Sequence, residues 1–69
     1  MEIILNNQPK TLSGMENISV QELLHLEVPG KQRGIAVAIN NQVIAKTRWE
    51  NTHITDNDQV VIIRATQGG

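Results

Sequence analysis

The residues of this chain whose chemistry is easiest to read are its last two, Gly68 and Gly69. Glycine has no Cβ, so a Gly-Gly segment can thread a channel that any side chain would block. Thr66 to Gly69, fully extended at about 3.3–3.6 Å per residue, would reach roughly 13 Å from a folded body. That is far enough to enter another protein's active site. The α-carboxylate of Gly69 has an ordinary pKa near ~3.5 and is ionised at neutral pH. An ionised carboxylate is a poor electrophile. It needs activation, for instance as an acyl-adenylate, before a sulfur or nitrogen nucleophile can attack it. The chain offers no group of its own to do this, so an activating enzyme is implied. A glycine pair at a chain end also fits an idle, frayed terminus. Its position directly behind the last strand pattern favours the chemical reading.

Other reactive residue types are scattered. His25 and His53 are far apart in sequence and have no cysteine partners, and a zinc site would want more ligands. Asp56 and Asp58 match the first positions of a calcium loop, but the later ligands and closing glutamate do not follow, so a turn is expected. Gly30-Lys31-Gln32-Arg33-Gly34 lacks the spacing and the Lys-Ser/Thr pair of a phosphate loop. Ser13 and Ser19 lie in no nucleophile motif. With no acid–base or nucleophile constellation, the chain is expected not to be an enzyme, and no metal or cofactor of its own is expected.

Elements must hold that C-terminus. Glu2–Leu5 reads as a strand, Asn6-Asn7 as a turn that tolerates positive φ, and Pro9–Leu12 as the returning strand. Ser19-Val20-Gln21-Glu22 fits the S-x-x-E capping box, in which hydroxyl and carboxylate each accept an amide of the other residue. Ile18 and Leu23 stand at the positions of a hydrophobic staple. Val20, Leu23 and Leu24 share a face, and Pro29-Gly30 stops the helix, which is therefore predicted over roughly 20–27. Ile35 to Asn40 alternates large and small apolar residues, as a strand with one face in a core does. Asn40-Asn41 turns it into Val43-Ile44, Thr55–Asp58 is a third turn, and Gln59–Arg64 is the last strand. Trp49 is expected in the core or covering the hairpin rather than serving as a ligand platform.

The order hairpin, helix, strands excludes a doubly wound sheet. It predicts an α+β fold of one helix across a mixed sheet of four to five strands. Residues 1–66 form the domain and 67–69 a flexible tail. With 69 residues and no cysteine, the core must hold by packing, and a domain this size buries only about 60% of its unfolded surface. A net charge of −1 and a single aromatic residue, Trp49, argue against nucleic acid and membrane surfaces as partners. No apolar run approaches the ~20 residues of a membrane span. Met1–Leu5 runs straight into a strand pattern rather than a signal sequence, so a cytoplasmic location is expected.

Alternation in the last strand turns Val60 and Ile62 toward the helix and Val61 and Ile63 away from it. In the first strand Ile3 and Leu5 go in and Ile4 goes out. Ile4, Val61 and Ile63, with Arg64 at the rim, would form an apolar patch beside Gln67, Gly68 and Gly69.

Over essentially its whole length the chain resembles the ThiS sulfur carriers of thiazole biosynthesis, small ubiquitin-like (β-grasp) proteins. The resemblance is carried by Ile3-Ile4-Leu5-Asn6, Glu22-Leu23-Leu24, Val37-Ala38-Ile39-Asn40, and Val43-Ile44 leading to Trp49. Asp56-Asn57-Asp58 before Val60 and the ending Ala65-Thr66-Gln67-Gly68-Gly69 complete it. The chain departs from the family pattern at Asn41 and Asn57, where glycine is usual, and at Ala45-Lys46, where Pro-Arg is usual. Asparagine keeps the tolerance of positive φ; Ala45-Lys46 keeps a positive charge but loses a fixed φ and a bidentate donor.

The resemblance implies a cycle. A ThiF-type enzyme, using ATP and magnesium, adenylates Gly69; a sulfur donor protein converts the adenylate to a thiocarboxylate; a ThiG-type thiazole synthase takes the sulfur. It also implies docking through the exposed sheet face, the patch of Ile4, Val61, Ile63 and Arg64. The molybdopterin-synthase small subunit (MoaD-type) shares the fold and the glycine pair, but its approach to the tail is richer in aromatics and proline than Arg64-Ala65-Thr66-Gln67. A ubiquitin-like modifier conjugated to lysines, or an interaction domain with an idle tail, would also fit the pattern of elements.

Overall fold

The computed structural model describes residues 1–30 and 33–64. Gln67, Gly68 and Gly69, and with them the boundary between domain and tail, lie outside the described residues. Five strands and one α-helix follow in the order β1 (Glu2–Leu5), β2 (Gln8–Thr11), α1 (Val20–Glu27), β3 (Ile35–Ile39), β4 (Gln42–Ile44) and β5 (Gln59–Arg64), with a short 3₁₀ helix (Lys46–Arg48) after β4. The strands form one sheet in the order β2-β1-β5-β3-β4. The central pair β1 and β5 is parallel and the other pairs are antiparallel, which makes the sheet mixed.

The turns follow from asparagine. Asn6 and Asn7 have φ of 50° and 67°, and Asn40 and Asn41 have 51° and 69°. Two successive left-handed residues make the two-residue hairpin turn whose twist matches that of the flanking strands. Asn57, at φ 70°, makes the third turn. Among the described residues every non-glycine with positive φ is an asparagine.

The helix begins where its signals place it. The Glu22 amide donates to the Ser19 hydroxyl at 3.1 Å, and the Ser19 amide donates to the Glu22 carboxylate at 2.9 Å. Both halves of the capping box are therefore made. Val20, Leu23 and Leu24 are buried, together with Ile18 before the cap. They pack into one cluster with Ile3, Leu12, Val37, Trp49, Ile54 and Val60, so the helix lies across one face of the sheet. Val28 donates its amide to Leu24 and ends the helix.

Two details differ from the expectations. β2 runs from Gln8 to Thr11, one position earlier at each end than expected, so Pro9 is its second residue. It is accommodated because β2 is an edge strand and Pro9, opposite Ile4, occupies a non-hydrogen-bonded pair. Leu12 donates to Met1, and the bonded pairs alternate from there, so the nitrogen of Pro9 faces outward. The 3₁₀ helix has no counterpart among the expected elements. It carries the chain from β4 to Trp49, which is 1% exposed.

Candidate functional site

The candidate site is the sheet face turned away from the helix, together with the end of β5. Alternation along β5 works as expected. Val60 is buried and Ile62 packs against the core, while Val61 is 38% and Ile63 57% exposed. Arg64 is exposed. In β1, Ile3 is buried and Leu5 packs against the core. Ile4 points to the outer face but is half-buried, because β1 has a strand on each side and its neighbours cover it.

The register brings further residues onto this face. Ala38 lies opposite Val61 in β5 and opposite Val43 in β4, and Ala36 lies opposite Ile63. Val61 and Ile63 thus stand beside alanines that are too small to cover them. Val43 is 74% exposed. Sequence alternation in Gln42-Val43-Ile44 contained the signal for Val43, once Ile44 is known to pack inward.

Charge is sorted along the strands. β3 begins opposite the end of β5, with Ile35 facing Arg64, and β4 ends on the same side, with Ile44 facing Val37. Arg33, Lys46 and Arg64 therefore gather at the end of the sheet from which residues 65–69 continue. Lys46 stands 6.0 Å from the centroid of the Trp49 ring, within cation–π range. Glu2, Asp56 and Asp58 lie at the opposite end. There Asp56 accepts the Glu2 amide at 2.7 Å. Asp58 accepts both the amide and the hydroxyl of Thr55, at 2.8 and 3.0 Å. These carboxylates serve as turn caps.

The histidines sit on the helix side. His53 pairs with Ser19 in an isolated antiparallel bridge, and His25 is within 3.3 Å of the Gln21 carboxamide. Among the described residues no group of three or more His, Cys, Asp or Glu gathers in a way that could hold a metal ion. The Glu22 carboxyl is held below its ordinary 4.5, first by the Ser19 amide, then by the Ser19 side chain, with smaller help from His53 and His25. No described helix is long and apolar enough to cross a membrane.

The strand that ends at Arg64 is anchored on both flanks by turn asparagines. The Asn40 side-chain oxygen accepts the Gln59 amide at 3.0 Å, while its NH₂ donates to Asp58 at 3.1 Å. The Asn6 side-chain oxygen accepts the Ile62 amide at 2.8 Å. Sequence reasoning identified both residues as turn formers only.

The ThiS family model matches residues 3–69. The sulfur carrier protein ThiS of Escherichia coli (strain K12) is 30% identical over 69 residues, covering 100% of both chains. The crystal structure of the thiamine biosynthesis protein ThiS from Geobacter metallireducens superposes with a TM-score of 0.87 at 28% identity, covering 100% of both chains. A solution structure of a thiamine biosynthesis protein from the same organism gives 0.85 at 28% identity, covering 100% of this chain and 88% of that one.

Proposed function

The chain belongs to the ThiS family, and from that premise we propose that it is a sulfur carrier in the making of the thiamine thiazole. A ThiF-type enzyme binds the exposed sheet face and draws the C-terminus into its active site. An oxygen of the Gly69 carboxylate attacks the α-phosphorus of ATP, whose charge magnesium balances, and pyrophosphate leaves. The terminal sulfur of a donor protein's persulfide then attacks the acyl carbon and AMP leaves. A thiol attacks the donor's sulfur in the resulting acyl disulfide and the S–S bond breaks. The thiocarboxylate is released, while thiol and donor leave as a disulfide. A ThiG-type thiazole synthase takes the sulfur and returns the carboxylate. The cycle is assigned to the cytoplasm, where ATP is at hand. The carrier is a co-substrate; ATP and magnesium belong to its partner.

The observation that carries this reading is the outer face of β5. Val61 and Ile63 are exposed on β5, which ends at Arg64, five positions before Gly69 in the sequence. Scattered exposed aliphatics need no explanation. These two are adjacent on one face, with the half-buried Ile4 on the same side and Arg64 at the rim.

The test is intact mass after incubation with ATP, magnesium, a ThiF-type enzyme and a sulfur source. Exchange of one oxygen for sulfur, localised to Gly69 and lost when Gly69 is deleted, is the expected result. Consumption of the product by thiazole synthase, rather than by molybdopterin synthase, assigns the pathway. An unchanged mass with an enzyme active on its own carrier would refute the proposal.

A further inference from the structure

β5 is paired unequally on its two sides. Against β3 it is matched along its whole length, from Ile39 opposite Val60 to Ile35 opposite Arg64. Against β1 it is matched only at Gln59 and Val60. The parallel ladder runs through the Ile4 amide to Asp58 and the Asn6 amide to Val60. Its next rung would be the Ile62 amide to the main-chain carbonyl of Asn6. The backbone cannot supply that rung, because at Asn6 it enters the left-handed turn into β2. The Asn6 side-chain oxygen supplies it instead, at 2.8 Å.

Among the described strands the Ile62 amide has no main-chain alternative. Asn40 donates to Gln59, so the bonded pairs toward β3 are Ala38 with Val61 and Ala36 with Ile63, by alternation. The amide of Ile62 therefore points to the β1 side. There it meets the Asn6 carboxamide, which holds β5 from that side beyond the point where the β1 ladder stops and before the chain continues to Gly69.

We propose that Asn6 is a positioning residue for the C-terminus. Its carboxamide fixes the second half of β5 on the side where no strand pairs with it among the described residues, and so sets where residues 65–69 leave the fold relative to Val61 and Ile63. The functional half of this inference rests on the carrier reading. Docking draws on the apolar patch, and delivery of the carboxylate to the reacting phosphorus draws on the exit direction. A loosened exit then lowers the fraction of docked complexes aligned for reaction, which is a loss in kcat.

Three variants separate the side chain from the backbone. Asn6→Gly keeps positive φ at no steric cost and deletes the acceptor. Asn6→Asp keeps both the acceptor and tolerance of positive φ. Asn7→Gly makes the glycine change one residue further along the same turn. Amide exchange and adenylation kinetics are measured on the full chain. In Asn6→Gly the Ile62 amide exchanges faster, and kcat falls, each by roughly three- to tenfold, the factor one net hydrogen bond carries. KM for the carrier stays near the original value. Asn6→Asp and Asn7→Gly stay close to the unsubstituted chain in both readouts.

A residue that served stability alone would behave differently. Lowering the folded fraction raises apparent KM and leaves kcat at saturation untouched. That pattern overturns the positioning role. So does unaltered Ile62 exchange in Asn6→Gly, or an Asn6→Asp chain no better than Asn6→Gly. An unsubstituted chain that a proven enzyme fails to adenylate sinks the carrier reading and this role with it. An unsubstituted chain that turns over, with Asn6→Gly equal to it in kcat, overturns the positioning role alone.

Discussion

The indole nitrogen of Trp49 donates to the main-chain carbonyl of Ile44 across 3.0 Å. This bond ties the end of β4 to the residue that closes the 3₁₀ helix. It also gives a ring that is 1% exposed a partner for its polar atom. Trp49→Phe should destabilise by about 1–3 kcal/mol, because it leaves the Ile44 carbonyl short of a donor and opens a small gap. Trp49→Ala should cost about 3–5 kcal/mol, a large part of what a domain holds in total. Urea unfolding followed by circular dichroism checks both. A Trp49→Phe midpoint equal to that of the unsubstituted chain would show that the bond contributes nothing.

Glu22 links helix stability to pH. Its carboxyl lies below 4.5 in the folded chain, mainly because the Ser19 amide bonds the ionised form. A carboxyl depressed by folding adds stability that is complete above its unfolded value and is lost as pH falls through the folded one. The unsubstituted chain should therefore lose stability on acidification below about 4.5, and Glu22→Gln should lose less over the same interval. Urea midpoints at neutral and acid pH, compared between the two chains, give the answer. Parallel pH curves would remove Glu22 from the account.

Ile63→Asp places a charge in the middle of the exposed face. The side chain is 57% exposed, so stability should change by no more than about 0.5–1 kcal/mol. If a partner docks there, desolvating that carboxylate should raise KM for adenylation by roughly tenfold or more. Steady-state kinetics with a ThiF-type enzyme decide it. Unchanged kinetics in a folded variant would move the docking surface elsewhere.

Arg33, Lys46 and Arg64 should steer the carrier toward an acidic entrance. Arg64→Glu is expected to slow association and to flatten its dependence on salt, since rim charges act chiefly on encounter rates. Stopped-flow association at low and high ionic strength measures this. A rate that is insensitive to both the substitution and salt would show that charge plays no part in the approach.

Much of the fold is legible in the sequence because its signals are local. Ser19 and Glu22 announce a helix start within four residues, and paired asparagines announce hairpins. Inward and outward positions of Val60 to Ile63 follow from a period of two. What escapes is what depends on partners far along the chain. The 3₁₀ helix at Lys46–Arg48 has no periodic apolar pattern, and it leads directly into Trp49, which joins the core. The Asn6 to Ile62 bond spans 56 positions, and nothing in either neighbourhood marks it. The outward direction of Ile4 follows from alternation, but its half-burial depends on strands β2 and β5 closing around it. The alanines of β3 announce a strand, yet their place beside Val61 and Ile63 needs the register.

Among the described residues the outermost strands β2 and β4 each pair on one side only, and the outer face carries Val43, Val61 and Ile63. Such a sheet has the ingredients for stacking into fibres. Along the β2 edge a passing strand would look for a row of amide donors, and at Pro9 it finds a ring carbon instead. The opposite edge, β4, offers only three residues, Gln42–Ile44, too short a template to hold a second chain in register. The place of Pro9 in β2 and the early end of β4 thus leave a second copy of the chain little to pair with. Replacing Pro9 by a β-branched residue would restore the missing donor and, with it, a seed for aggregation.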